Sequence, residues 1–100
     1  MKDIAYEFDE AKSKKLRRER GLGFEEMIAL MEAGCVVKSY PHPNHVKHPA
    51  QQVHAVNVEG YAWLVITEKH KEKNRLITLY QCRKATRKWL KENDNGTEKN

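Results

Sequence analysis

Four histidines fall in one short stretch: His42, His45 and His48 are spaced by three, and His54 follows six residues on. Imidazole titrates near ~6.5 and can give or take a proton at neutral pH, as metal-free RNA cleavage requires. Three imidazoles could also hold zinc. Against zinc, Pro41, Pro43 and Pro49 keep the segment extended, so a three-residue spacing does not bring the rings to one side. No thiol or carboxylate lies within the run either. The plainest alternative is a polar loop with no special task. No metal and no cofactor are expected, since the chain lacks a Gly-rich phosphate loop, a CxxC pair, a nucleophile elbow and a His-Glu-x-x-His pattern. Gly21-Leu22-Gly23 follows a helical stretch and has no third glycine, so it is not a dinucleotide fingerprint.

The second group of candidates is cationic. Nineteen Lys and Arg stand against fourteen Asp and Glu, a net charge of +5, with an isoelectric point near 9.3. Distribution says more than the total. Asp3, Glu7, Asp9 and Glu10 come first; then Lys12, Lys14, Lys15, Arg17, Arg18 and Arg20 are opposed only by Glu19. A second cluster is Arg83, Lys84, Arg87, Lys88 and Lys91. Two dense basic segments in so short a chain point to an anionic partner, phosphodiester first, or else to two solvated helix faces. The carboxylates offer no catalytic pair: Asp9 and Glu10 are adjacent and point apart, and Glu25 and Glu26 suit the first turn of a helix. Tyr61, Trp63 and Trp89 could stack on bases, but on strands and helix faces the default is core.

These residues must be positioned by a small set of elements. Ile4, Tyr6 and Phe8 alternate over residues 3–8, which predicts a short half-buried strand. Asp9 then caps a helix from Glu10 to Arg20, acidic at its start and basic at its end. Gly21 to Gly23 breaks it. Phe24, Met27, Ile28 and Met31 fall at i, i+3, i+4 and i+7, which predicts a second helix closed by Gly34. Residues 35–40 read as a strand that runs into the proline and histidine loop. Residues 52–58 and 61–67 form a hairpin about Glu59-Gly60. Tyr61, Trp63 and Val65 share one face and Ala62, Leu64 and Ile66 the other, so this strand is central and covered on both sides. A charged loop over 68–74 leads to a strand at 75–81. A closing helix from Arg83 to about Glu92 offers Ala85, Trp89 and Leu90 to the sheet.

The order, strand, two helices, four-strand antiparallel meander and helix, is that of an α+β domain. One hundred residues make one core, here 1–92, with 93–100 a polar tail. No apolar run reaches the ~18 residues of a membrane span. The start has no apolar leader, and two distant cysteines suit reduced thiols, so a soluble, cytoplasmic protein is expected.

The closing segment Gln81-Cys82-Arg83-Lys84-Ala85-Thr86-Arg87-Lys88-Trp89-Leu90 carries a resemblance. Three further segments occur in the same order: Phe8-Asp9-Glu10-Ala11-Lys12, Arg20-Gly21-Leu22-Gly23-Phe24-Glu25-Glu26, and His42-Pro43-Asn44 continuing to Lys47 and Pro49. Together they resemble the BrnT family of toxins from bacterial type II toxin–antitoxin pairs, from about residue 6 to residue 90. The chain departs from the family pattern at Cys82, where Ser is more usual, at Gly23, where a capping Ser or Asp is common, and at Ala50, where the family has glycine.

The resemblance implies a RelE-like fold and a translation-blocking endoribonuclease. It further implies a cognate antitoxin, usually of ribbon–helix–helix type, and operator DNA bound only through the toxin–antitoxin complex. Metal-free cleavage needs a base for the 2′-hydroxyl, an acid for the leaving oxygen and cations for the phosphorane. On this footing Arg83 and Arg87, four apart on a helix, are assigned to phosphate stabilisation, and His42 to proton transfer with His45 behind it. Lys12, Lys15, Lys47 and Lys84 are assigned to the RNA backbone. The alternative is a non-catalytic RNA- or ribosome-binding module, or a toxin relic that acts only through its antitoxin.

Overall fold

Helical and strand periodicities sort the chain into nine consecutive pieces in the computed structural model, which describes residues 5–91. They are β1 (Ala5–Glu7), α1 (Glu10–Arg20), α2 (Phe24–Glu32), β2 (Val36–Pro41), β3 (Gln51–Val58), β4 (Tyr61–His70), β5 (Lys73–Gln81), α3 (Arg83–Ala85) and a π-helical continuation of α3 over Thr86–Lys91. The sheet order is β1-β5-β4-β3-β2. Strands β2 to β5 form the expected antiparallel meander. β1 pairs in parallel with β5, Ala5 opposite Lys73 through Glu7 opposite Arg75, which makes the five-stranded sheet mixed. The domain is α+β.

Local chemistry accounts for the boundaries. Asp9 Oδ1 accepts the Lys12 backbone N–H at 3.1 Å, the cap expected of it. Gly21, at φ 89°, ends α1 in the left-handed region and returns its N–H to the Arg17 carbonyl. The α2 N-terminus is built differently from an ordinary side-chain cap. Ser13, buried in the middle of α1, accepts the Phe24 N–H at 2.8 Å. A Cβ at position 23 would come within 2.7 Å of that Ser13 oxygen, so glycine is needed where α1 crosses beneath α2. This is the physical reason for a glycine at a place suited to Ser or Asp.

Two sequence expectations change. Glu68 to His70 do not form a loop: β4 runs on to His70, and Lys71-Glu72 turns directly into β5. Lys71 takes φ 59°, the left-handed conformation that a tight turn requires. The closing helix is α-helical only to Ala85 and π-helical beyond. Residues 3 and 4 of the first predicted strand, Glu92 and the predicted tail 93–100 lie outside the described residues. Pro41 ends β2, which stands at the sheet edge, where a missing N–H breaks no inner ladder.

Two cores lie on the two faces of the sheet. On one, Leu16, Phe24 and Met27 from the helices pack on Val56, Trp63, Val65, Leu76 and Leu79. On the other, Ala85 packs with Val53, Ala55, Ala62, Leu64 and Ile66, and Tyr40, Trp89 and Leu90 complete the layer. Ala62 to Thr67 are all buried, as a strand covered on both sides must be. Thr86 ties the C-terminal helix to β4. Its hydroxyl donates to the Cys82 carbonyl at 2.9 Å and accepts the Ala62 N–H at 2.8 Å. Cys82 caps α3 through Sγ, 3.4 Å from the Ala85 nitrogen, the task a serine would perform there.

Candidate functional site

β1 covers only the first three residues of β5. Beyond them the outer edge of β5 is flanked by α1, and the space between the two forms a groove. Its wider part, about 760 Å³, is lined by Glu19, Arg20, Trp63, Thr78, Tyr80 and Gln81. A narrower part, about 400 Å³, adjoins it through Glu19, Arg20 and Thr78 and adds Lys12 and Lys15. Lys12, Leu16 and Arg20 lie four apart and form one stripe of α1. Leu16 anchors that stripe in the core, and the two cations beside it reach the strand edge. Lys12 Nζ donates to the Ile77 carbonyl at 2.5 Å and Arg20 Nη1 to the Leu79 carbonyl at 2.6 Å. Each has further N–H donors beyond that bond, since an ammonium has three and a guanidinium five. Tyr80 is an exposed aromatic at the groove. Lys12, Lys15 and Arg20 outnumber the carboxylates of the cleft, Asp9 and Glu19, and with Thr78, Gln81 and Tyr80 along it the cleft can hold a polyanion with stacked bases.

Lys12 and Lys15 therefore meet in one hollow. Arg83 comes two residues after Gln81, at the groove end of the sheet, and both Arg83 and Arg87 are exposed. The helix presents Lys84 and Lys88, not these arginines, to a second groove on the opposite face. That groove, about 450 Å³, is bounded by Lys38 and Tyr40 of β2 and by Lys84, Lys88 and Trp89 of the C-terminal helix, over Leu64.

The histidine loop lies elsewhere. Pro41 is in register with Gln52, then Thr67 and Leu76, whereas Gln81 is in register with Trp63 and Val56. Four residues of β3 and of β4 separate those two rows, and β5 has one more at its bulge, so they stand roughly 13 Å apart at about 3.3 Å per residue. His42 begins the loop and donates its N–H to the Gln51 carbonyl at 3.1 Å. The prolines do not keep the loop extended, as expected: it turns back on itself, and the His42 ring packs on His48, centroids 4.6 Å apart. His42 Nδ1 accepts the Asn44 N–H at 3.0 Å. That bond occupies the Nδ1 lone pair. His45 and Lys47 are exposed on the same loop, Lys47 through a turn in which Asn44 Oδ1 accepts its N–H at 3.3 Å. No group of three or more metal-ligating side chains occurs among the described residues. The fold thus divides the predicted residues among the α1–β5 groove, the C-terminal helix and the loop.

Sequence reasoning missed three lining residues of the first groove, Thr78, Tyr80 and Gln81. It counted Arg20 only as charge, although its i+8 spacing from Lys12 was visible. His54, the last of the four histidines, is not in the loop at all. Val53 and Ala55 face the C-terminal helix, so His54 turns to the other face. There its ring nitrogens meet Ser39 Oγ at 2.7 Å and Thr67 Oγ1 at 2.9 Å. Burial pushes its pKa below the ordinary imidazole value, so it is neutral at pH 7. It bridges β2, β3 and β4.

The fold and grooves define a small α+β domain with a cleft of mixed charge at the β5 edge of a mixed sheet and a lysine-rimmed groove on one of its faces. No model of a known protein family matches the chain, and neither a characterised protein nor a solved structure is similar to it. No described helix is long and apolar enough to cross a membrane.

Proposed function

We propose that this protein is the toxin of a bacterial type II toxin–antitoxin pair: a metal-independent endoribonuclease of RelE-like fold that blocks translation in the cytoplasm. A cognate antitoxin, of ribbon–helix–helix type, neutralises it and carries the complex to operator DNA. The observation that supports this reading is the α1–β5 groove, where Lys12, Lys15 and Arg20 stand along a cleft that also holds Tyr80 and Gln81. RNA lies in it with its phosphates on the cations and a base on Tyr80. Its backbone continues toward Arg83 and Arg87, whose forked guanidinium groups each take two phosphate oxygens as charge grows on the phosphorane. His42 transfers a proton from the loop, with His45 behind it and Lys47 on the RNA backbone.

The test is induced expression in a bacterial host with mapping of new RNA 5′ ends, wild type beside the double variant Arg83→Ala/Arg87→Ala and beside Arg20→Ala. Growth arrest with new ends is expected for the wild type. Removal of a charge-stabilising donor lowers the cleavage rate by about 10²–10³. Normal growth and intact RNA from folded wild-type protein would exclude the nuclease.

The separation of the His42 loop from the groove, along the strand direction, favours a second reading, a module that binds RNA or the ribosome without cutting it. Under that reading the same variants weaken RNA affinity, the salt dependence falls by about one counterion for each cation removed, and no new ends appear.

A further inference from the structure

The groove on the opposite face has a different chemistry from the one assigned to RNA. Its floor is apolar, built from Leu64, Ala85, Tyr40 and Trp89, and three lysines surround it. Lys38 comes from β2; Lys84 and Lys88 come from the C-terminal helix, four apart and so on one stripe. Lys88 Nζ stands 5.4 Å from the Trp89 ring centre, held at the rim by its own neighbour. No carboxylate among the described residues lines the groove. Three like charges around an apolar floor are incomplete by themselves: they repel one another, and the floor between them is kept wet.

We propose that this groove receives an acidic amphipathic helix of a partner protein, its aliphatic stripe on Leu64, Ala85 and Trp89 and its carboxylates on Lys38, Lys84 and Lys88. A nucleobase is a poorer occupant. Tyr40 and Trp89 can stack on its face, but Leu64 and Ala85 would strip water from its ring nitrogens and exocyclic groups with no hydrogen bond in return. Leucine or isoleucine side chains lose nothing of that kind, and carboxylates complement the rim. A strand is a poorer occupant also. β2 is the sheet edge here, and Lys38 and Pro41 are residues that discourage strand addition. A helix laid in a groove needs only side-chain pockets and a charged border. At about 450 Å³ the site has the size of an ordinary ligand cleft. The inference does not depend on whether the protein cleaves RNA.

The probe is a fluorescein-labelled synthetic helix with leucines at i, i+3, i+4 and i+7 and glutamates on either side of that stripe. A second peptide has the same composition with the leucines scattered. Fluorescence anisotropy with the full chain should show saturable binding of the first peptide, at least roughly tenfold tighter than the second. Carbodiimide should join its glutamates to Lys38, Lys84 or Lys88, read by mass spectrometry. The variant Lys38→Glu/Lys88→Glu should lose about tenfold in affinity while keeping the wild-type circular dichroism spectrum; if it does not fold, Lys38→Gln/Lys88→Gln replaces it. Absence of binding, equal binding of the scattered peptide or unchanged affinity in the variant would overturn the proposal. So would displacement of the peptide by single-stranded RNA that cross-links to the same lysines, which would make this a nucleic-acid groove. A dimer in sedimentation that Lys38→Glu/Lys88→Glu dissociates would overturn it in favour of a second copy of the chain.

Discussion

The two faces of the sheet are closed by helices of unequal means. On one face α1 and α2 form a hairpin that delivers Leu16, Phe24 and Met27 into the core, the last two with no exposed surface. On the other, a single short helix delivers Ala85 fully and Trp89 and Leu90 in part. The first face reaches full closure and leaves its groove outside, at the β5 edge. The second leaves its groove over the sheet itself, between β2 and the helix. The difference teaches where adaptation is possible: a face sealed by large side chains tolerates change only at its margins, whereas a face with unfilled room can accept a partner.

The largest effects should come from the sealed face. Phe24→Ala removes a wholly buried ring that also packs on Phe8, centroids 5.6 Å apart. We expect a loss of about 3–5 kcal/mol in denaturant titration, enough to leave much of the protein unfolded. A loss under about 1 kcal/mol would mean that the face is less well closed than its packing indicates.

On the other face the expected sensitive residue is Thr86, which no packing argument would select. Thr86→Val keeps the shape and leaves the Ala62 N–H without its acceptor in a buried place. The expected cost is about 1–3 kcal/mol. If Trp89→Ala proves cheaper than Thr86→Val, the helix is held at its first turn and its far end is free to adjust. That result would sharpen the contrast, since the adjustable end is the one that borders the groove.

A pH experiment compares the faces through His54, the residue that joins three strands. An unfolded histidine titrates near 6.5, and in the native protein burial lowers that value. Below pH 6.5 the unfolded chain therefore takes up a proton that the native ring refuses. The contribution to stability is complete above pH 6.5 and declines as the pH falls from there toward the native pKa. His54→Gln should be less stable at pH 7.5, because the two hydroxyl contacts lose their imidazole, and should show a shallower decline between pH 6.5 and 5. Equal slopes for variant and wild type would show that His54 does not govern the acid limb.

How far the residues alone could reveal these features depended on whether the signal was local. The Asp9 cap, the Gly21 stop, the α2 stripe and the two-sided β4 are written within a few neighbouring residues, and each was legible. The parallel pairing of β1 was not, because a three-residue strand carries no sign of its partner. The extension of β4 to His70 was hidden by charge: Glu68 to Asn74 read as solvent-facing loop, although alternating exposure at a sheet end permits charged strands. For the site, basic residues were visible as types, but their grouping depended on which face each helix covers. Lys12 and Arg20 met a strand sixty residues away, and His42 lay apart from Arg83 because strand register, not sequence spacing, sets that separation.

The smallest expected effect concerns the sheet's two edges, which are guarded by different devices. β2 uses its own residues, Lys38 and Pro41, whereas the outer edge of β5 borrows Lys12 and Arg20 from α1 to occupy the carbonyls of Ile77 and Leu79. The Lys12 bond is exposed, and such charge-assisted bonds add little to stability, so Lys12→Ala should cost under about 1 kcal/mol. Their larger service is to deny the edge to another strand. Lys12→Ala/Arg20→Ala should therefore remain folded, with a melting temperature lowered by only a few degrees, yet show concentration-dependent self-association in sedimentation that the single variant lacks. A double variant that stays monomeric would mean that the bulk of α1 shields β5, and that the two cations are positioned for a ligand more than for the edge.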